Sequence, residues 1–355
     1  MIFFGLKMIP KNFINYPKTI AILYSEAKRE YFPTEQQYIT EAEVFGRAKI
    51  VAQNIKKLGI KPFLFPGNDR LAEFLRKTRP EMAINLVDSV KGDEFLQSTI
   101  PALLELMEIP YTGAGILGAT LVCNKFLVKK ILEQNGIPVP HYQLVDSPSE
   151  IIHPQLRYPL ISKLNEIHGA VEISYQAVSE NENHLRKRLK YLINTYKQGV
   201  LIEEFIVGRE ITSILVEGVN KKIYSAEKIF EKTNEKYELA TFEANWGQGP
   251  SFSYKKYPNN EYLKELVKDA FIVLGHADYG KFDIREDQSG RFYFIDCNAN
   301  PAFGPKETDC ALATIMNLYG IDFEEILDRL ILNTMRGSKN LEKIEPTPNG
   351  EKNLV

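Results

Sequence analysis

Short apolar segments alternate with helical segments over the first hundred residues of the chain. The runs Thr19–Tyr24, Lys61–Phe65 and Met82–Val87 have the length and composition of buried strands. Between them, Glu41–Leu58 and Leu71–Lys77 carry apolar residues at helical spacing. Strands that alternate with helices usually form a parallel sheet with helices packed on its faces. The sequence therefore predicts an α/β fold that begins with a parallel sheet.

The remainder of the chain predicts further helices and strands, organised into more than one domain. We expect helices over Glu94–Met107, Cys123–Leu132, Asn183–Tyr196 and Phe323–Leu332, and strands near Tyr142–Val145, Leu160–Leu164, Val200–Phe205 and Glu210–Val216. A chain of 355 residues is too long for one simple core. We place the boundaries at an N-terminal extension (1–17), an α/β domain (18–122), a central domain (123–205), a carboxy-terminal domain (206–335) and a polar tail (336–355).

Composition and charge exclude several classes of partner. The net charge is −2 without a basic cluster, which argues against a nucleic-acid or anionic-membrane partner. No apolar stretch has the length needed to span a bilayer. The three cysteines are an odd number without metal-ligand spacing, and a reducing cytoplasm suits them best. These properties predict a cytoplasmic protein.

The segment Tyr279–Phe303 predicts a hairpin with an oxygen-rich face. Its two strands, Lys281–Arg285 and Arg291–Asn298, alternate apolar and polar residues. Lys281, Asp283 and Arg285 fall on one face of the first strand, and Asp296 and Asn298 fall on one face of the second. Tyr293, Ile295 and Cys297 are expected on the opposite face. Carboxylate and amide oxygens without His or Cys suit Mg²⁺, whereas the alternative is an ordinary solvated hairpin face.

Two lysines occupy positions at which an anionic partner is expected. Lys125 follows Asn124 at the start of a predicted helix, and Lys163 lies inside the apolar run Tyr158–Leu164. A lysine within a buried strand is costly unless an anion meets it. The alternative is a lysine that extends to solvent or forms a local ion pair.

In order and spacing, these motifs resemble the ATP-grasp superfamily and, within it, D-alanine–D-alanine ligases. The resemblance covers roughly Thr19 to Asn333 and is densest at Met107–Pro140, Gly199–Thr212 and Tyr279–Phe303. It implies a three-domain ATP-grasp architecture with a Rossmann-like first domain. It also implies homodimers that pack through that domain, for which Glu94–Met107 is a candidate face or else simple core.

The resemblance assigns roles to individual residues. Lys125 and Lys163 match the pair that binds nucleotide phosphates. A hinge at residues 203–210 matches the adenine and ribose site, through Glu203, Glu204, Phe205, Ile206 and Glu210. Taken alone, the three glutamates would be interpreted as surface charges. Asp283, Asp296 and Asn298 match the ligands of Mg²⁺, with Mn²⁺ as an alternative. Lys281 replaces an arginine near the reacting groups, and Glu41 aligns with the glutamate that meets the first substrate's amino group.

The implied reaction is phosphoryl transfer from ATP to a carboxylate, followed by attack of an amine on the acyl phosphate to form an amide. Positioning and charge neutralisation would carry most of this catalysis. The partners implied are therefore a small carboxylate and a small amine.

Several substrate residues of the ligases are absent from this sequence. Ala170 stands in place of a serine, Trp246 in place of a tyrosine and Asn245 in place of a lysine. The early histidine–glycine motif is replaced by Leu86-Val87-Asp88-Ser89, and Lys306-Glu307 stands where a serine receives a carboxylate. A different amino acid, peptide or natural-product substrate is the hypothesis that follows.

The alternatives are a nucleotide-binding homologue without ligase activity and a true D-alanine–D-alanine ligase. Two side chains also keep alternative roles. Trp246 is either a lid over the substrate, with a catalytic role, or a tryptophan packed on the surface of a loop. His168 is either a general base or an exposed loop histidine.

Overall fold

The computed structural model describes residues 16–218, 220–247 and 249–337. The predicted parallel sheet at the start of the chain is confirmed. Strand β1 (Thr19–Tyr24) lies between β2 (Lys61–Pro66) and β3 (Met82–Leu86), and both neighbours run parallel to it. All five residues of β3 are buried, as expected for a strand covered on both faces.

The helices around this sheet differ in part from the prediction. They are α1 (Glu35–Ala42), α2 (Val44–Lys57), α3 (Leu71–Thr78) and α4 (Thr99–Leu106). The predicted helix over Glu41–Leu58 is confirmed as α2, although it begins at Val44. Glu41 instead belongs to α1, which begins upstream, where the Thr34 side chain accepts a hydrogen bond from the Gln37 N–H. Helix α4 begins later than expected, which leaves Pro101 in its first turn, where a missing N–H costs nothing.

The second sheet is antiparallel and lies in the central part of the chain. Its strands are β4 (Tyr142–Val145), β5 (Leu160–Leu164), β6 (Val178–Ser179) and β7 (Val200–Glu204), in the order β4-β7-β5-β6. Helices α5 (Ile116–Val122) and α6 (Lys125–Gln134) precede it, and α7 (Glu182–Tyr196) packs against it. The Asn124 side chain caps α6 by accepting a hydrogen bond from the Leu127 N–H, which places Lys125 at the start of this helix.

The third sheet contains the hairpin. Its strands are β8 (Gly208–Val216), β9 (Lys222–Phe230), β10 (Phe252–Lys256), β11 (Tyr279–Asp287) and β12 (Phe292–Asn298), in the order β10-β9-β8-β11-β12. The accompanying helices are α8 (Phe242–Trp246), α9 (Glu261–Val273), α10 (Ala311–Leu318) and α11 (Phe323–Met335). The first hairpin strand extends beyond the predicted Lys281–Arg285 at both ends, and the second begins one residue later than predicted, at Phe292.

The largest apolar core joins the first and third sheets. It contains Ile20 and Ile22 of β1, Ile214 of β8 and Leu327 of α11, and each of these side chains is at most 2% exposed. Burial of this size is the main stabilising contribution to a fold. The domain boundaries given above remain a prediction.

Within the described residues, none of the helices has the length and apolar character that crossing a membrane requires. The three cysteines, Cys123, Cys297 and Cys310, are free and buried. Nearly all of the predicted N-terminal extension and most of the predicted polar tail lie outside the described residues.

Candidate active site

Twelve of the thirteen predicted site residues line one cavity of about 280 Å³. Because the residues predicted to bind the nucleotide line it, we call it the nucleotide cavity. Its walls come from the second and third sheets and from the start of α6. The predicted residues that line it are Lys125, Lys163, Glu203, Glu204, Phe205, Ile206, Glu210, Trp246, Lys281, Asp283, Asp296 and Asn298. Glu41 lies in an adjoining cavity.

The register of the hairpin brings the candidate metal ligands side by side. Asp283 of β11 is opposite Asp296 of β12, and Lys281 is opposite Asn298. Directly opposed residues in an antiparallel pair lie close enough for their side chains to interact. Asp283 is 7% exposed, so the alternative of a solvated hairpin face is wrong.

The predicted faces of the second hairpin strand need a correction. The register shifts next to Asp283, so that Phe294 pairs with Ile284 and Ile295 has no partner on β11. This bulge leaves Ile295 in the wall of the nucleotide cavity, although strict alternation placed it with Cys297 on the core side. Tyr293 likewise does not share the buried face of Cys297.

Asp283 is held by three donors. Its Oδ1 accepts a hydrogen bond from the Thr212 hydroxyl at 2.6 Å and lies 3.4 Å from Lys228 Nζ, while its Oδ2 is 2.5 Å from Lys281 Nζ. Burial alone would raise the pKa of this carboxyl, but Lys228 and Lys281 outweigh burial and lower it well below its usual value. Asp283 is therefore ionised at neutral pH.

Asp296 is also ionised, with fewer direct partners. Burial opposes its charge, but Lys125 and Lys281 lower the pKa of this carboxyl. One oxygen accepts a hydrogen bond from the Asn298 side chain at 3.4 Å. Two ionised carboxylates and an amide oxygen fit Mg²⁺, which takes one or two protein carboxylates together with phosphate oxygens. Across the described residues, no three His, Cys, Asp or Glu side chains converge to hold a metal alone.

Glu203 lies between two lysines, and one of these was not predicted. Its Oε1 is 2.6 Å from Lys129 Nζ, its Oε2 is 2.5 Å from Lys163 Nζ, and the side chain is 1% exposed. Burial would raise the pKa of Glu203, but the two lysines lower it. Lys163 thus forms the local ion pair considered above while it also lines the cavity. The expectation that Glu203 lies on the surface is wrong.

Glu210 forms a second buried ion-pair network. Its Oε1 is 2.7 Å from Lys228 Nζ and its Oε2 is 2.7 Å from Arg285 Nη2. Burial opposes ionisation, yet these two cations lower the pKa of Glu210. At 4% exposure it is not a surface charge.

The hinge after β7 forms a flat apolar wall. Phe205 is 8% exposed, packs edge-on against Tyr237 at 5.1 Å, and has the Arg285 guanidinium 4.8 Å from its ring centre. The Glu204 carboxylate accepts a hydrogen bond from the Arg157 N–H at 2.9 Å. Glu204 is thus fixed by the backbone at Arg157 and still lines the cavity, together with Phe205 and Ile206.

Trp246 closes the cavity from the loop side. Its indole N–H donates a hydrogen bond to the Gly169 carbonyl at 2.8 Å, and the ring lines both the nucleotide cavity and its neighbour. Gly169 has φ +71°, and an added Cβ would lie 2.5 Å from Thr40 Cγ2, so glycine is required here. The loop around residues 166–172 is therefore fastened between Trp246 and α1. The predicted loop over 244–249 begins within the short helix α8.

The adjoining cavity has a volume of about 210 Å³ and shares Trp246, Lys281, Asn298 and His168 with the nucleotide cavity. Here we call it the substrate cavity. Three of its wall residues are carboxylates: Glu41, Asp88 and Glu94. Arg47 is the buried cation beside Glu41 and Asp88.

The carboxylates of the substrate cavity are poorly compensated. Burial, increased by the charge of Asp88, raises the pKa of Glu41 to about 8, while Ser25 and Ser89 oppose the rise. Burial raises the pKa of Asp88 to about 6, opposed by Arg47, and that of Glu94 to about 8, opposed by Lys125. A ligand with positive charge would therefore be favoured in this cavity.

His168 is not an exposed loop histidine. Its backbone N–H donates to Glu94 Oε1 at 2.9 Å, and its Nε2 lies 3.3 Å from Glu94 Oε2. Burial, helped by Lys125, lowers the pKa of His168 to about 3, so the imidazole is neutral at physiological pH. Lys306 and Glu307, by contrast, are exposed and belong to the wall of neither cavity.

Several site residues were missed from sequence. Lys129, Lys228 and Arg285 are buried cations that pair with Glu203 and Glu210. A charged residue inside an amphipathic segment is the only sequence signal, since the partner lies far away along the chain. Glu94 gave no signal beyond its place at the start of a predicted helix.

The chain is similar to known D-alanine–D-alanine ligases in sequence and in fold. The family model described as "D-ala D-ala ligase C-terminus" matches residues 131–332. The chain is similar to a D-alanine–D-alanine ligase of Carboxydothermus hydrogenoformans, with 28% identity over 290 residues that cover 75% of this chain and 85% of the relative. It is also similar to the uncharacterized protein y4sG of Sinorhizobium fredii, with 27% identity over 269 residues that cover 72% and 78%.

Among solved structures, the chain resembles the D-alanine–D-alanine ligase from Bacillus anthracis complexed with ATP. The TM-score is 0.68 at 18% identity, over 90% of this chain and 98% of that chain. At that identity the likeness concerns the fold, and it confirms the predicted α/β ATP-grasp fold.

Proposed function

The chain belongs to the D-ala D-ala ligase C-terminus family and is an ATP-grasp ligase, and from this premise we propose that it joins a carboxylate to an amine through an acyl phosphate, with a substrate other than D-alanine. The observation that carries the proposal is the shared wall of the two cavities. Lys281 and Asn298 face both of them. A phosphate in the first and a carboxylate in the second would meet at this wall.

Lys125 and Lys163 are the proposed phosphate ligands. Lys163 Nζ donates to the Ile295 carbonyl at 3.0 Å and pairs with Glu203, while Lys125 Nζ donates to the Ile167 carbonyl at 2.6 Å. Burial lowers the pKa of Lys125, although Asp296 and Glu94 oppose the shift. A phosphate close to Lys125 would restore its preference for the charged form.

Asp283, Asp296 and Asn298 would hold Mg²⁺. The metal supplies charge neutralisation on the phosphate oxygens during phosphoryl transfer. The buried ion pairs around Asp283 keep its carboxylate ionised and fixed in place. Asp296 is the freer of the two carboxylates, which suits it to direct coordination.

Lys281 is the proposed stabiliser of the reacting oxygens. Burial opposes its charge, but Asp283 raises the pKa of Lys281, so that the ammonium is retained. It donates to Asp283 Oδ2 and lies in the wall that both cavities share. A fixed cation at this wall stabilises negative charge that develops when the amine attacks the acyl phosphate.

The substrate side supports a ligand other than D-alanine. Ala170 and Trp246 replace a serine and a tyrosine of the ligases. Lys306 and Glu307, which stand where the ligases have a serine that receives a carboxylate, are exposed and line neither cavity. The cavity instead carries three carboxylates around Arg47. Both differences concern the acid and the amine, whereas the nucleotide side retains its charged residues.

The test is ADP release from Mg·ATP across a panel of amino acids, small peptides and amines, with amide products identified by mass spectrometry. We expect release that requires both an acid and an amine. Efficient formation of D-alanyl-D-alanine would contradict the altered substrate. Thermal stabilisation by Mg·ATP without ADP release from any pair would instead favour a nucleotide-binding protein without ligase activity.

A further inference from the structure

The substrate cavity is lined by more carboxyl groups than it has cations to pair with them. Glu41, Asp88 and Glu94 face it together with Arg47 and Lys281. Lys281 is already engaged, because its ammonium donates to Asp283 Oδ2 at 2.5 Å. His168 carries no charge at neutral pH. Arg47, beside Glu41 and Asp88, is therefore the remaining cation of this wall.

One oxygen of this cluster has no partner. Glu41 Oε2 is buried without a hydrogen bond, and the side chain is 6% exposed. A buried carboxylate oxygen without a donor costs free energy that a bound cation would recover. The carboxyl of Asp88 is also desolvated, and Arg47 is the cation that favours its charged form.

Glu94 depends on a lysine that the nucleotide would engage. Its carboxylate accepts the His168 N–H, and the charge of Lys125 favours its ionised form. Lys125 also faces Asp296 and is the proposed phosphate ligand. Once phosphate binds there, less of the positive charge of Lys125 remains for Glu94. Glu94 then needs another cation to favour its ionised form when the nucleotide is present.

We infer that the substrate cavity takes an amino acid with a second cationic group, an amine or a guanidine, which Asp88 and Glu94 hold while the reacting carboxylate faces Lys281. The α-ammonium of this substrate would meet the free oxygen of Glu41. Arg47 and two positive groups of the ligand then balance the three carboxylates. A volume of about 210 Å³ is far larger than the ~15 Å³ that a single water needs, and it accommodates such a molecule.

A metal ion is a poorer occupant of this cluster. Within residues 16–218, 220–247 and 249–337, no three acidic, histidine or cysteine side chains are arranged to hold a metal. The carboxylates lie on separate elements: Glu41 on α1, Asp88 after β3 and Glu94 before α4. Two separated positive groups on one molecule match this arrangement better than one central charge.

The inference rests on the proposed function, since it names the acid that the ligase would activate. The test is to measure, by calorimetry, how tightly paired amino acids bind to the full chain in the presence of Mg²⁺ and a non-hydrolysable ATP analogue. Matched pairs differ only in the side-chain charge: lysine against norleucine, ornithine against norvaline and arginine against citrulline, each in both stereoisomers. We expect at least one cationic member to bind about ten-fold or more tightly than its neutral partner, as a charged hydrogen bond provides.

The variants Asp88→Asn and Glu94→Gln should reduce this ratio towards one while stabilisation by the nucleotide analogue persists. Glu43→Gln is the matched control, because Glu43 is exposed and adjoins Glu41's helix. The inference is overturned if neutral members bind as tightly as cationic ones, if no member of the panel binds, or if the ratio survives both variants.

ADP release separates this inference from the proposed function. Cation-selective binding without ADP release from any acid–amine pair would refute ligation and leave the selectivity of the cavity standing. ADP release that is equally fast with the neutral and the cationic member of each pair would refute the inference and leave ligation standing.

Discussion

The nucleotide cavity and the substrate cavity share a wall but differ in how they treat buried carboxylates. In the nucleotide cavity, Glu203, Glu210 and Asp283 each lie within 4.0 Å of two basic side chains. The pKa of each of these carboxyls is lowered by the cations that surround it. In the substrate cavity, burial raises the pKa of Glu41, Asp88 and Glu94.

The difference distinguishes carboxylates whose counter-ions come from the chain itself from carboxylates that need a cation from a ligand. Removing one partner from a buried ion pair is strongly destabilising, because it leaves the other charge uncompensated. The nucleotide cavity therefore depends on its own cations. In the substrate cavity, ionisation of the carboxyl groups lowers stability, and a bound cation would recover that free energy. The predictions that follow test the two halves of this contrast.

The largest expected effect is on catalysis, at the metal-binding edge of the nucleotide cavity. Asp296→Asn removes the freer carboxylate while its shape is retained. We expect the ADP release rate to fall by about 10²- to 10³-fold, the loss typical when a group that stabilises transition-state charge is removed. Steady-state kinetics with Mg·ATP measures this effect. Asp269→Asn, at an exposed position on α9, is the control and should leave the rate unchanged; equal rates for both variants would break the metal assignment.

The next effect is on stability, at the Glu203 pair. Lys129→Met removes a cation that lies 2.6 Å from Glu203 and also donates to the Phe294 carbonyl. We expect a loss of about 3 kcal/mol in the free energy of unfolding, since a buried charge loses one of its two partners. Urea unfolding measures it. The neighbouring Lys130→Met replaces an exposed lysine and should change the free energy of unfolding only slightly. Similar losses from the two variants would show that the buried ion pair stabilises the fold no more than a surface lysine does.

The substrate cavity should behave in the opposite way. Glu41 has its pKa raised to about 8, against about 4.5 in the unfolded chain. The folded state therefore binds an extra proton between these values, so stability falls as the pH rises from about 4.5 to about 8 and levels off above that pH. Glu41→Gln should thus stabilise the protein at pH 9, by on the order of 1 kcal/mol, with the gain disappearing near pH 4.

Thermal unfolding of both proteins from pH 4 to pH 9 checks this sign. Glu43→Gln, at an exposed position, should show no such pH-dependent gain. A Glu41→Gln variant that is less stable than the parent at pH 9 would contradict the description of the substrate cavity as poorly compensated.

The smallest effect concerns the lid. Trp246→Phe keeps an aromatic ring but removes the N–H that donates to the Gly169 carbonyl at 2.8 Å. Loss of one such hydrogen bond should raise KM for the acid about five-fold, as expected for about 1 kcal/mol. Tyr191→Phe removes a hydrogen bond to Glu172 at the surface of the same loop and serves as the control. If KM is unchanged for Trp246→Phe, the tryptophan is only a packing residue.

Much of the fold follows from local patterns in the sequence. Thr19–Tyr24 and Leu160–Leu164 were predicted to the residue, because short apolar runs between turn residues have few alternatives. No helix was predicted over residues 35–40, yet these residues form most of α1. The apolar spacing of this helix is weak, and its position depends on contacts with the loop at residues 166–172. Ile295 was placed on the wrong face because alternation cannot reveal a bulge.

The candidate site could be predicted in part. Most of its residues were identified, but the partners of its buried charged residues were not. The oxygen ligands of the hairpin are close in sequence, so strand geometry alone brought them together. Lys129 and Glu203 are far apart along the chain, and nothing in either local sequence identifies the other as its partner. The same holds for Asp88 and Glu94 beside Glu41. Their shared cavity exists only because the first domain packs against the loop that carries His168 and Gly169.

The most direct test of the central claim is the fate of the oxygen atoms of the acid. With an acid labelled with ¹⁸O in its carboxylate, Mg·ATP and an amine, activation through an acyl phosphate transfers one labelled oxygen to the released phosphate. We predict ADP, singly labelled phosphate and amide in equal amounts. ADP formed with unlabelled phosphate, or no ADP from any acid–amine pair, would contradict the assignment of this site to carboxylate–amine ligation.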